Sequence, residues 1–319
     1  MARSEEESRR KELTLTQLKY FLTAAAHKSM TGAAAELYIA QSAISTAVAQ
    51  LERTLGVTLF IRQPSKGLAL TSSGEQLLRD GRSLLAQLEE LTESIRAHDQ
   101  QVEGVLRLAC FVTLGPFILP QLISEIGRKH PNLHIEVFES DFEETAQMLL
   151  DGTVEAALTY DFGAFNGVSF IELYRSAPHV ILPAGTPLAQ QEQISLSSLQ
   201  DWDMVLLDIP HSREYFLDML KAAQVDVTIR YSSRSYETVR SLVARGHGFS
   251  ILNNISKSDT TYDGGRLKAV PIAGDVPALN VCFAHPAEVQ PSARSRAVSS
   301  TAAALLQAER ISPASHHGQ

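Results

Sequence analysis

Apolar residues recur at three- and four-residue steps after Leu15, at Leu18, Phe21, Leu22 and Ala25, which predicts a short amphipathic helix with Thr14 or Thr16 as its N-cap. Thr31 then caps a small-residue helix, 32–37, whose Ala33, Ala34 and Ala35 let a neighbouring helix come close. After a break at Tyr38, Ile39 and Ala40, a third helix puts Ile44, Val48, Leu51 and Leu55 on one face, with Gly56 as its C-cap. Two short helices joined by a tight turn, the second apolar along one stripe and polar along the other, make a helix-turn-helix. Gln41, Ser42, Ser45 and Thr46 form the exposed stripe at the start of that second helix. Strand-like runs at 57–61 and 68–71 flank a turn of breaker residues, 63–67, and read as a wing.

A long helix follows over 72–98, with Leu77, Gly81, Leu84, Leu88, Leu91 and Ile95 alternating four- and three-residue steps. At 1.5 Å per residue it spans roughly 40 Å, more than a small core needs, which suits a dimerising connector. A helix packed onto its own domain is the alternative. From residue 105 onward strands alternate with helices: strands at 105–110, 133–138, 154–159, 180–183, 204–207, 227–231, 249–252 and 279–284; helices at 116–128, 142–151, 214–223, 236–245 and 292–307. Such alternation predicts parallel sheets of crossover units, here two small sheets facing across a cleft.

Composition supports a globular reading, with 44% hydrophobic and 20% charged residues over 319 positions. No apolar run reaches membrane-spanning length and no signal segment is evident at the N-terminus, so a cytoplasmic location away from any membrane is expected. Cys110 and Cys282 have no Cys-x-x-Cys spacing and no paired His nearby. Neither a metal site nor a disulfide framework is indicated, no cofactor is expected, and both thiols read as buried. The net charge is -8, yet residues 13–72 carry five cations against two acids, a net +3, and residues 1–12 sum to zero. Any nucleic-acid contact therefore belongs to the first quarter of the chain.

Three other functions explain less. Gly246-His-Gly248 lacks the third glycine of a dinucleotide fingerprint, and the Gly248-to-Leu252 run lacks the second glycine of a nucleophile elbow, so an enzyme is not expected. A solute-binding protein leaves the first hundred residues without a purpose and would need export. A DNA-binding architectural protein leaves some 200 residues of acidic α/β chain unexplained.

Five blocks occur in order: Leu15-Thr-Gln-Leu-Lys-Tyr-Phe, Ser29 through Leu37, Gln41-Ser-Ala-Ile-Ser, Leu51-Glu-x-x-Leu-Gly-Val-x-Leu-Phe and Leu70-Thr-x-x-Gly-Glu. Together they closely resemble the LysR-type transcriptional regulators. The match is strong over about 13–78; Leu119-Pro120, His130-Pro-Asn-Leu, Asp151-Gly152 and Leu242-Val-Ala-x-Gly-x-Gly extend it weakly to about residue 307. The resemblance implies α/β plus an all-α N-terminus: a winged helix-turn-helix over 1–72 with a flexible tail at 1–12, a dimerisation linker helix over 73–102, and an effector-binding domain over 103–319. That last part resembles periplasmic binding proteins, with lobe one at about 103–177 and 276–309 and lobe two at about 178–275. The function that the resemblance implies is sequence-specific regulation of transcription, modulated by a small-molecule effector, expected to be an organic anion, held between the lobes. The partners it implies are double-stranded promoter or operator DNA, the effector, further copies of the chain as dimer or tetramer, and, as a further expectation, RNA polymerase.

A recognition helix enters the major groove N-terminus first, which makes Gln41, Ser42, Ser45 and Thr46 the candidates for base and phosphate contact. Thr31 is placed for a phosphate, and Arg62 and Lys66 on the wing for backbone or minor groove. Where many relatives carry Ser before the Gln and Arg after the second Ser, this chain has Ala40 and Thr46. Few cations remain on that helix, so a moderate salt dependence and a reliance on Gln41, the wing and DNA shape are expected. For the effector, Thr113 lies after the first strand of lobe one, where its hydroxyl and nearby amides could hold a carboxylate. Phe142 and Tyr160 follow the second and third strands. Asp208, His211, Ser212 and Arg213 form an unusually polar loop after an apolar strand, and Arg234 and Tyr236 precede another helix in lobe two.

Overall fold

Capping begins the structure. In α1 (Leu15–His27) the Thr14 hydroxyl accepts from the Gln17 amide at 3.2 Å while the Gln17 side chain accepts from the Thr14 amide at 3.1 Å, a reciprocal box that settles the choice between the two threonines. The structure is a computed structural model that describes residues 13–63, 67–96, 102–163, 165–287 and 289–311. The expected tail at 1–12 and most of the wing turn lie outside the described residues, as do residues 312–319. Two compact units result, 1–96 with 151–153 and 97–150 with 154–319.

In the first unit α2 (Met30–Glu36) is capped by Ser29, whose hydroxyl accepts from the Gly32 amide at 3.1 Å. Thr31 is therefore not the cap; it sits inside the first turn, because the helix starts two residues earlier than its small-residue run suggests. Ala33 and Ala34 are buried, Ala35 is exposed. α3 (Gln41–Leu55) buries Ile44, Val48 and Leu51, whereas Leu55 is 40% exposed, so the apolar stripe ends one turn earlier than expected. Gly56 closes the helix at φ 71°, a left-handed conformation that glycine adopts without strain. β1 (Phe60–Gln63) pairs antiparallel with β2 (Gly67–Leu70), Phe60 opposite Leu70. The strand starts at Phe60 rather than 57 because the Glu52 carboxylate accepts from the Leu59 and Phe60 amides at 2.7 and 3.3 Å and ties the lead-in to α3.

α4 (Ser72–Arg96) shares its seam between two tasks. Leu77, Leu78 and Leu85 pack on the helix-turn-helix core, and Gly81 lies so close to α1 that a Cβ would come within 2.7 Å of a Leu18 methyl. Leu84 and Leu88 are 45% and 39% exposed. The half of the seam nearest the helix start thus packs onto its own domain. The side chains of Leu91 and Ile95 lie outside the described residues.

The second unit runs β3 (Gly104–Phe111), α5 (Gly115–Lys129), β4 (Leu133–Ser140), α6 (Phe142–Leu150), β5 (Ala156–Asp161), β6 (Val168–Ser176), β7 (His179–Pro183), β8 (Met204–Leu207), α7 (Ser212–Ala222), β9 (Ile229–Ser233), α8 (Tyr236–Ala244), β10 (Ser250–Leu252), β11 (Leu267–Pro271), β12 (Leu279–Pro286) and α9 (Ala293–Ile311). Lobe one has the strand order β4-β3-β5-β12-β6. β3 runs parallel to β4 and β5, but β12 is antiparallel to both its neighbours, so the expected all-parallel sheet is mixed. Lobe two is split into an antiparallel β10-β7-β11 and a parallel β8-β9, stitched by the Val205 amide donating to the Phe249 carbonyl at 2.8 Å. Sequence periodicity did not foresee β6 and β11. β6 is an edge strand with no clean alternation of burial, and β11 carries Lys268 and Pro271 in five residues.

Candidate DNA interface and effector cleft

The start of α3 is a rigid, polar and uncharged platform. Its buried face is anchored by Ile44, Val48 and Leu51 at 0–2% exposure. Its opposite face presents Gln41, Ser42 and Thr46 to solvent, with Ser45 half-buried beside them. The Gln41 amide donates to the Ser45 hydroxyl at 2.7 Å, which pre-orients the one side chain here able to read adenine through two hydrogen bonds. Ala40, the N-cap, offers no side-chain bond, so the first amides of the helix keep their donors outward. Thr31 is exposed on α2. Arg62 belongs to β1 but its side chain, like Lys66 altogether, lies outside the described residues.

Two residues that helical periodicity did not single out flank α2 in left-handed backbone, Lys28 at φ 50° and Tyr38 at φ 54°. The Lys28 carbonyl accepts the Leu68 amide of β2 at 2.9 Å, and Gly67 passes so close that a Cβ would sit 2.6 Å from that oxygen. These backbone contacts fasten the wing to the start of α2, beside the Glu52 tie to α3 and the packing of Phe60 on Phe21.

In the second unit, six polar side chains line a small cavity between the lobes: Thr113, Tyr160, Ser212, Tyr236, Asn253 and Asn254, with Leu207 and Phe216 among its apolar walls. The space they leave is about 10 Å³, room for one water molecule. Asn254 is its hub. Its amide donates to the Tyr160 hydroxyl at 2.8 Å, its side-chain oxygen accepts from Tyr174 at 3.1 Å, and its backbone carbonyl accepts from Tyr236 at 2.7 Å. Asn253 donates to the Ser176 carbonyl at 2.9 Å and to the Tyr215 hydroxyl at 3.2 Å. Burial pushes the Tyr160 phenol far up, against a smaller opposing effect of its hydrogen bond with Thr113. It likewise pushes Tyr215 and Tyr236 up to about 12. Every titratable group in the lining is neutral near pH 7.

Of the expected effector residues, Thr113, Tyr160, Ser212 and Tyr236 meet at this cavity. Tyr160 does so from inside β5 rather than from the loop beyond it. The others sit around it with partners of their own. Asp208 pairs with Arg213 at 2.8 Å, and Arg234 reaches from lobe two to Asp141 of lobe one at 2.9 Å. Phe142 is 2% exposed and packs edge-on against Phe162, Phe165 and the His211 ring. His211, at φ 65°, approaches Glu143 of lobe one at 3.5 Å. Asn253, Asn254 and Asp141 were missed. The signal for the first two was available, a pair of amide side chains directly after the apolar Ser250–Leu252 run.

The helix starts around the cavity differ in their caps. α8 is capped by Ser235, whose hydroxyl accepts from the Thr238 amide at 3.2 Å. Among the described residues, α5, opened by Leu114, and α7, opened by His211, have no side-chain cap.

The two thiols lie elsewhere. Cys110 on β3 is beside Leu158 of β5, while Cys282 on β12 is beside Thr159 of the same strand. Consecutive residues of a strand face opposite ways, so the sulfurs are on opposite faces of the sheet and two strand spacings, about 10 Å, apart. Bridging needs Cα atoms within about 7 Å. Burial raises both thiols to about 12, helped by Glu139 near Cys110 and by Asp161 and Glu172 near Cys282. Among the described residues no group of three or more His, Cys, Asp or Glu could hold a metal ion, and no helix is long and apolar enough to cross a membrane.

Comparison with known proteins places this geometry. Residues 15–75 match the model of the bacterial regulatory helix-turn-helix protein, lysR family, and residues 99–307 that of the LysR substrate binding domain. A "Probable hydrogen peroxide-inducible genes activator" of Streptomyces viridosporus is 30% identical over 96% of this chain and 97% of its own. Among solved structures, HinK, a LysR family transcriptional regulator from Pseudomonas aeruginosa, is 33% identical with a TM-score of 0.63, covering 92% of this chain and 99% of that one. A full-length OxyR variant from Pseudomonas aeruginosa is 26% identical with a TM-score of 0.76, covering 93% and 98%.

Proposed function

We propose a mode of action from one premise: the chain belongs to the LysR family of transcriptional regulators. It is a DNA-binding regulator with an effector-binding domain, of a family of regulators rather than enzymes, whose members bind DNA and small-molecule effectors and form oligomers. In our reading residues 1–72 bind DNA, 73–102 form the dimerising linker and 103–319 receive the effector. Gln41 and Ser42 meet base edges, with Ser45 and Thr46 positioning the helix and Thr31, Arg62 and Lys66 on phosphates. Exposed Leu84 and Leu88 on α4 support a second copy docking along that helix to give a dimer, which doubles to a tetramer and engages RNA polymerase.

The effector in this reading is a small organic anion. The observation that carries it is the pair of helix starts without side-chain caps, α5 after Thr113 and α7 at Ser212, set at a cavity of neutral hydroxyl and amide groups. The positive helix ends favour a carboxylate even without a cation, although Pro116 has no amide and the Phe117 and Arg213 amides already donate to the Leu114 and Ile209 carbonyls. The cavity has room for one water molecule only, so the lobes must part to admit the anion. Breaking Asp141–Arg234 and His211–Glu143 is the step that shifts the population towards the open arrangement. Asp208 and Arg213 form the rim through which it enters.

Calorimetry with a panel of four- to eight-carbon mono- and dicarboxylic acids and their amides tests this. An acid is expected to bind while its amide does not, and Thr113→Ala is expected to weaken that acid about tenfold, the worth of one charge-assisted hydrogen bond. Equal binding of acid and amide, or an unchanged affinity in Thr113→Ala and His211→Ala, would overturn the assignment.

Relatives of this chain carry hydrogen peroxide in their names. In our reading this chain has no Cys110–Cys282 disulfide response to peroxide. The separation of Cys110 from Cys282 and the scarcity of thiolate at neutral pH both oppose one.

A further inference from the structure

We propose that Tyr38 is a contact to the DNA phosphate backbone, one that adds affinity without adding salt dependence. This rests on reading α3 as the recognition helix.

Tyr38 is 96% exposed, yet its backbone is tightly held. Its amide donates to the Ala35 carbonyl at 3.3 Å, the next amide, of Ile39, donates to Ala34 at 3.1 Å, and φ is 54°. Glycine or asparagine takes up that conformation at lower cost than tyrosine. An aromatic ring there gains nothing from packing within its own unit, because almost all of its surface stays in water. The ring projects from the turn two residues ahead of Ala40, the N-cap of α3. When the first turn of α3 enters the major groove, the segment immediately before it runs past the phosphates that flank the groove. A phenol donates one hydrogen bond to a phosphodiester oxygen, and its ring covers the adjoining sugar.

The surrounding chemistry makes such a donor useful. From Gln41 to Gln50 α3 has no charged side chain, so this helix lacks the cations that usually hold its N-terminal half against the backbone. Lys28, at the left-handed position on the other side of α2, supplies the contrast. A lysine on a phosphate releases a counterion, so its loss lowers the slope of log K against log salt. Tyrosine is neutral and leaves that slope alone.

The test uses the full-length protein and a duplex recovered from a random pool by the wild-type chain, with a scrambled duplex alongside, followed by anisotropy across a salt series. Tyr38→Ala is expected to raise Kd about tenfold on both duplexes, with the ratio between them kept and the salt slope unchanged. Tyr38→Phe is expected to lose most of that affinity, since the hydroxyl makes the bond. Tyr38→Asn separates contact from backbone strain: it suits the left-handed conformation, so its melting temperature holds or rises while its affinity falls as in Tyr38→Ala. Affinities of Tyr38→Ala and Tyr38→Asn within twofold of wild type would overturn the proposal. So would a loss confined to the selected duplex, which is the signature of a base contact. Gln41→Ala keeps the two readings apart. If it too binds normally, α3 is not the recognition helix; if it fails on the selected duplex while the Tyr38 variants bind normally, only the Tyr38 proposal falls.

Discussion

The platform on α3 and the cavity between the lobes are built from the same chemistry, neutral amides and hydroxyls, and differ in their access to water. Gln41 and Ser42 are exposed, and apart from the local Gln41–Ser45 bond their polar groups face solvent, so they add little to stability and are available to read a partner. Asn253 and Asn254 are 8% and 9% exposed and already commit theirs to tyrosines and backbone of the second unit. A polar residue on a surface is held in reserve for binding. The same residue buried is part of the fold until a ligand replaces its partners.

The largest effect should come from breaking the buried side of that contrast. Asn254→Ala leaves the Tyr160 and Tyr174 hydroxyls without this partner and is expected to cost about 2–3 kcal/mol. That is a fall of about 5–10 °C in the melting temperature of the second unit, read by calorimetry, while Gln41→Ala shifts neither unit by more than about 0.5 kcal/mol. Equal melting temperatures for the two variants would erase the distinction. A middle case sharpens it. In the pair Arg234–Asp141 the arginine is 66% exposed and the aspartate 8%, and Asp141 keeps its capping bond to the Glu144 amide at 3.0 Å. Arg234→Ala should therefore cost less than about 1 kcal/mol. A loss as large as that of Asn254→Ala would mean that the lobes are held together by charge rather than by the amide network. The smallest effect is expected from oxidation: after hydrogen peroxide treatment, DNA affinity should match the untreated protein and non-reducing electrophoresis should show no Cys110–Cys282 crosslink. A crosslink would require the sheet of lobe one to come apart.

The parts of this molecule that could be read in the sequence are those set by local rules. The three helices of the DNA-binding unit follow from apolar spacing and capping chemistry, and the exposed stripe at the start of α3 follows from which face Ile44, Val48 and Leu51 must bury. The family resemblance anticipated Thr113 and Tyr236, which meet at the cavity. What stayed hidden depends on distant partners. The antiparallel setting of β12 is fixed by pairing with residues more than a hundred positions earlier, and no pattern within β12 encodes it. Asn254 looks like a loop residue until the tyrosines of β5, β6 and α8 close around it. Thr31 has the side chain of a cap, but Ser29 two positions earlier has one equally suited and holds the place.

The place of β12 also governs how the protein can be made. It fills the gap between β5 and β6, so the sheet of lobe one is incomplete until residues 279–286 have left the ribosome. Until then β5 and β6 present unpaired edges, open to pairing with other chains. Lobe two, encoded entirely between β6 and β12, can finish folding first. The last strand then closes lobe one beside a finished neighbour, and the cavity between the lobes, which Leu279 helps to line, is shaped in that late event.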